Sequence, residues 1–154
     1  MNTSISTSTK QLLALVRASL WQEPADVTLF SKDVDWQKIG KLALQQTVGI
    51  LAFEAALSLP ANFRPPKEWI RKALAFIETN RRTHILVDRS AAEVVCKLKG
   101  VGIDSILLKG QAYARVYPRP EMRQCGDIDL YVGESNYLSA YEAVKEFGWK
   151  REDI

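Results

Sequence analysis

One histidine in 154 residues, His84, leaves no room for a His-rich metal site or for a triad that needs more than one imidazole. Two cysteines, Cys96 and Cys125, make no disulfide framework. They are too far apart for a CxxC pair and read as two free thiols in a reducing compartment. Eight glycines and six prolines argue against a low-complexity or collagen-like chain. No apolar run reaches the ~18 residues of a membrane span. The opening MNTSISTSTK lacks the apolar core of a secretory signal, so a cytoplasmic protein with no membrane partner is expected. A net charge of +3 is too small a basic excess to imply nucleic acid by itself. What remains is an ordinary globular composition, 47% hydrophobic and 25% charged, long enough for one domain or a little more.

The hydrophobic period is helical for about a hundred residues and then changes. Residues 1–8 are Ser/Thr-rich and read as a frayed terminus. Thr9 is placed to cap a helix over Lys10–Trp21, with Leu12, Leu13, Val16 and Leu20 on one side. Asp33 or Asp35 can cap a second helix that runs to Leu59, with Gly49 inside it marking a kink or a close contact. Pro60, Pro65 and Pro66 bound a linker. From Lys67 a third helical stripe begins: Ile70, Leu74, Ile77, His84, Val87, Ala91, Val94, Val95 and Leu98. The polar run Asn80–Thr83 is a place where it could break, and Gly100 and Gly102 bracket its end. The four tryptophans, Trp21, Trp36, Trp69 and Trp149, are spread out and read as packing residues rather than a stacking platform.

Ile103, Ile106, Leu107 and Leu108 then form a short apolar run suited to a buried strand, broken by Gly110. A helical turn follows to Tyr117, a second strand over Asp127–Val132, and a last helix capped by Ser135 or Asn136 with Leu138, Tyr141, Val144 and Phe147 inward. The predicted fold class is α+β. An N-terminal helical bundle (1–100) precedes a strand–helix–strand–helix core with a mixed sheet (101–154). Two strands do not make a stable sheet alone, so a third strand from Trp149 or a continuation of the chain is expected.

The residues that carry chemistry lie in Gly126-Asp127-Ile128-Asp129-Leu130-Tyr131-Val132. Strand alternation puts Asp127 and Asp129 on one face, their Cα atoms roughly 6.5 Å apart at a rise of ~3.3 Å per residue. Ile128, Leu130 and Val132 take the other face. Two neighbouring carboxylates repel, and a divalent cation offsets that directly. Hard oxygen donors suit Mg²⁺, or Mn²⁺, completed by substrate phosphates. Upstream, Leu107-Leu108-Lys109-Gly110 is a strand that ends in glycine and enters a helix, where backbone amides can approach a phosphate. Lys109, Arg115, Arg119 and Arg123 oppose a single Glu121 in the intervening segment, which suits a polyphosphate. No GxxxxGK[ST] occurs, so a P-loop is excluded. Tyr131 and the misplaced Gly133 break the calcium-loop spacing. In DxD phosphatases the aspartates end an apolar strand, whereas here the apolar residues follow them.

The stretch LLKGQAYARVYPRPEMRQCGDIDLYV resembles the core motif of the uncharacterised nucleotidyltransferase family of the DNA-polymerase-beta superfamily. The likeness covers most of residues 33–148. It implies Asp127 and Asp129 as catalytic metal ligands, and Lys109, Gly110 and Gln111 as a phosphate-cradling turn. Arg123 and Arg115 would be further nucleotide-binding residues. Gln111 departs from the Ser or Gly usual in the wider superfamily. The superfamily's third carboxylate, expected on a later strand, has only Asp153 as a late counterpart here. The implied reaction is Mg²⁺-dependent transfer of a nucleoside monophosphate from an NTP to a hydroxyl acceptor, a small molecule or a protein. The competing expectation is an inactive, truncated relative that binds a partner or dimerises through an exposed sheet edge.

Overall fold

A computed structural model describes residues 5–30, 33–124 and 126–146. It is mostly helical with a small two-stranded antiparallel sheet, an α+β protein. The predicted mixed sheet is thus antiparallel in its described strands. Trp149, Phe147 and Cys125 lie outside the described residues, and with them the expected third strand. No described helix is long and apolar enough to cross a membrane. The chain forms two compact units. The first runs to Arg82 and takes in Ala114–Gln124; the second holds Thr83–Tyr113 and the described residues from Gly126 onward.

In the first unit α1 spans Thr7–Trp21. Its cap is Ser6, not Thr9, because the Ser6 hydroxyl accepts from the Thr9 amide at 3.2 Å. Its buried side centres on Leu12, Leu15 and Ala18, leaving the expected Leu13 exposed. The predicted second helix is two, α2 (Trp36–Gln45) and α3 (Gly49–Ser58). Asp35 caps α2 by accepting from the Lys38 amide at 2.9 Å. A Schellman motif ends it: Thr47 is left-handed (φ 53°), its amide donates to Leu44 and the Val48 amide to Ala43. Gly49 therefore opens α3 rather than sitting mid-helix, and a Cβ there would lie 3.0 Å from Phe76.

The core of this unit is aromatic. Trp36 stacks on Phe30 at 5.8 Å, and Phe53 meets Trp69 edge-on at 5.0 Å. The Trp69 indole donates to the Trp36 carbonyl at 2.9 Å, so its polar edge is satisfied where it is buried. Trp21, by contrast, is exposed. Residues 114–124 join this unit through Met122 and Tyr117, packed on Ile50 and Leu51. The Asn80 side chain donates to the Glu121 carbonyl, and Arg119 pairs with Glu54.

The third predicted helix is α4, Lys67–Gly100, unbroken at Asn80–Thr83. Its buried stripe is Trp69, Ala73, Asn80, His84, Ala91, Val94 and Leu98, with Leu74 exposed. A second Schellman motif ends it, with Gly102 (φ 82°) left-handed and the Ile103 amide on the Leu98 carbonyl. Leu98 and Ile103 then meet in the second unit's core with Val94 and Ala140. There β1 (Ile106–Leu108) pairs with β2 (Asp129–Tyr131), and α5 (Gly110–Ala114) leaves β1 directly. In α6 (Tyr137–Glu146) the inner residues are Ala140, Ala143 and Val144, whereas Leu138 faces solvent, against expectation.

Candidate active site around the carboxylate strand

The sheet register decides which way the carboxylate strand faces. Leu107 opposes Leu130, and Leu108 opposes Asp129. Leu130 and Val132 lean on the Val94–Leu98–Ile103–Ala140 cluster. Side chains alternate along a strand, so Asp129 and Tyr131 point away from that core. They share the open face with Ile106 and Leu108, all partly or largely exposed. Asp127 lies two residues before β2 and is exposed.

The turn between β1 and α5 lies against this strand. Lys109 and Gly110 both adopt positive φ, 43° and 25°. For a lysine that backbone is costly and is held only when its surroundings impose it. A Cβ on Gly110 would stand 3.1 Å from the Asp127 carbonyl oxygen, so glycine is what lets the two backbones approach. The Lys109 ammonium sits 3.8 Å from an Asp129 carboxylate oxygen, in a pair whose lysine is 71% exposed. An ion pair that open adds little stability, which leaves both groups accessible to a ligand.

Gln111 turns the other way. Its side chain is buried against α4, donating to Asp88 at 2.5 Å and lying 3.4 Å from the His84 ring nitrogen. His84, on the predicted helical stripe, is buried. Asp88 belongs to no motif in the sequence, although its spacing of four from His84 places both on one helical face.

Of the predicted site residues, Lys109, Gly110, Gln111, Asp127 and Asp129 fall in the second unit, and Arg115 and Arg123 in the first. Arg115 is exposed. Arg123 keeps one guanidinium nitrogen, Nη1, buried without a partner among the described residues. The first unit also has a groove of about 670 Å³ lined by Ala55, Leu59, Ile77 and Met122. Its Arg119 and Glu54 pair with each other, and neither aspartate of the strand lines it.

A family model described as uncharacterised nucleotidyltransferase matches residues 32–153. The chain belongs to the uncharacterised nucleotidyltransferase family. No curated protein and no solved structure matches it. Within this nucleotidyltransferase family member the matched region takes in both aspartates and the Lys109–Gly110 turn. The donor set is compatible with a hard divalent cation. The turn meets the Asp127 backbone oxygen and the Asp129 carboxylate, and no group of three His, Cys, Asp or Glu gathers among the described residues. Carboxylate oxygens are the donor type that Mg²⁺ takes, commonly one or two, with water and substrate phosphate completing its shell.

Proposed function

We propose that the chain transfers a nucleoside monophosphate from an NTP to a hydroxyl acceptor. The observation that supports this most is the close approach of the Lys109–Gly110 turn to the carboxylate strand. Gly110 backs onto the Asp127 carbonyl while Lys109 faces Asp129. Asp127 and Asp129 would hold Mg²⁺, or Mn²⁺, whose chemistry is to neutralise phosphate charge and lower the pKa of an oxygen bound to it. The Lys109 ammonium and the amides of the turn would receive the outer phosphates. Arg115 and Arg123, in the first unit, are further nucleotide-binding candidates that the sequence motif suggests. In the reaction the acceptor oxygen forms a bond to the α-phosphorus and gives its proton to solvent. The bond between the α-phosphorus and the bridging oxygen breaks, and pyrophosphate leaves with the electron pair.

Titration calorimetry with ATP and Mg²⁺ tests the assignment. Asp127→Asn and Asp129→Asn should each weaken Mg²⁺-dependent binding by roughly 100-fold, the scale on which charge-stabilising groups act at such sites. Binding indifferent to both substitutions removes the metal-ligand role.

A second reading, a non-catalytic module that self-associates through the sheet, is favoured by one observation. Ile106 and Tyr131 stand cross-strand from each other and are 60% and 51% exposed. Light scattering separates the two: a dimer abolished by Tyr131→Lys, in a chain that binds no nucleotide, supports the module.

A further inference from the structure

We propose that Asp88 and His84 are positioning residues for the nucleotide turn: they grip the Gln111 side chain and so hold Lys109 and Gly110 in their left-handed geometry. This rests on the reading above that the turn receives a triphosphate.

The turn needs an external hold. Two consecutive residues at φ 43° and 25° include a lysine, which does not rest there unaided. α5, with five residues, is too short to be stable on its own propensity and takes its position from tertiary contacts. The side chain that directly follows the strained pair is Gln111, which is 5% exposed. Its amide nitrogen has two protons to place. One goes to the Asp88 carboxylate at 2.5 Å. The other faces His84, with the ring nitrogen at 3.4 Å and the carbonyl at 3.5 Å. The second Asp88 oxygen lies 3.4 Å from the same ring nitrogen, so three side chains close on one another.

His84 and Asp88 are four apart on α4 and present these groups side by side. Releasing the turn would break the hydrogen bond that the buried Gln111 amide makes to Asp88, which is unfavourable. The grip therefore opposes relaxation of Lys109 to ordinary backbone. Through Lys109 it sets where the ammonium meets Asp129, and through Gly110 how closely the turn backs onto Asp127. Neither His84 nor Asp88 needs to touch the nucleotide for this.

The test exploits the direction of the hydrogen bond. Gln111→Glu faces one carboxylate with another. The double variant Asp88→Asn/Gln111→Glu restores one donor and one acceptor with their roles exchanged. Hydrogen exchange of the 109–114 amides and calorimetric titration with Mg-ATP are read on the full chain, with a thermal melt to confirm folding. Gln111→Glu should speed exchange and weaken Mg-ATP binding by roughly 10-fold each, the size of a typical coupling between contacting polar groups. The double variant should return both to near the parent values. His84→Phe, which keeps an aromatic ring without nitrogens, should also speed exchange.

If Gln111→Glu changes neither readout, or the double variant behaves like the single one, the grip is refuted. If exchange responds as expected but the parent chain binds no Mg-ATP, the nucleotide reading fails and the positioning role falls with it. The two failures are thus distinguishable.

Discussion

At Gly110 a side chain is excluded on two independent grounds. The φ of 25° disfavours any L-residue, and a Cβ would press to 3.1 Å on a backbone oxygen, which has no rotamer to yield. Gly110→Ala should therefore lower stability by about 1–3 kcal/mol, the usual cost of forcing such a position, and weaken Mg-ATP binding with it. Denaturant unfolding and titration check both. Lys109 next to it is a different case. Lys109→Gly relieves a strained backbone but adds chain entropy to the unfolded state, and these nearly cancel. Stability should stay within about 1 kcal/mol of the parent, while nucleotide binding falls because the ammonium beside Asp129 is gone. A stability loss as large as that of Gly110→Ala would show that Lys109 is not strained as described. The glycine turn after β1 and the strand that carries Asp129 were legible in the sequence, because a glycine after an apolar run and an alternating strand are local signals. The grip on Gln111 was not legible, since it joins residues 23 and 27 positions apart.

Among the elements, the break between α2 and α3 shows what local pattern misses. Apolar residues recur through it at helical spacing, so the sequence reads as one helix. The stop is made by Thr47 at φ 53°, where a glycine would have announced itself. Thr47→Gly should stabilise the first unit by about 0.5–1 kcal/mol, since the left-handed penalty of a β-branched residue exceeds the entropy that glycine adds. A melt that falls would refute this. Along α4, Glu68, Glu78 and Glu93 are held below the ordinary carboxylate range, each chiefly by a hydrogen bond from its partner, Arg71, Arg82 and Lys97 respectively. Folded values below the unfolded value mean that the contribution is present above about 4.5 and is lost as pH falls through the lowered values. These groups are exposed, so the effect is small. Melting temperatures between about pH 6 and pH 3 should decline, and less steeply in Glu78→Gln.

For the whole molecule, the decisive fact is that each unit has a main buried cluster of its own among the described residues. One is built on Leu15, Ile39, Phe53 and Trp69, the other on Val94, Leu98, Ile103 and Ala140. The first is large and aromatic, the second small and aliphatic, and the proposed site stands on the second. Helical spacing placed Ile39, Val94 and Leu98 inward in advance, whereas Leu15, Phe53 and Ala140 fell outside the predicted stripes. The membership of 114–124 in the first unit was not, because Met122 and Tyr117 reach it through long-range packing. Removing a buried leucine or isoleucine side chain to alanine commonly costs ~2–5 kcal/mol. Leu98→Ala should accordingly raise hydrogen exchange first in β1, β2 and α6, and Ile39→Ala first in α1, α2 and α3. Because Leu130 leans on Leu98's cluster while Asp129, the residue before it, takes the opposite face, Leu98→Ala should also weaken Mg-ATP binding although it lies on the far side of the strand. Ile39→Ala should leave that binding largely intact at temperatures where the first unit stays folded. If both substitutions loosen the amides of both clusters equally, the chain unfolds as one cooperative body and the site does not depend on its own small core.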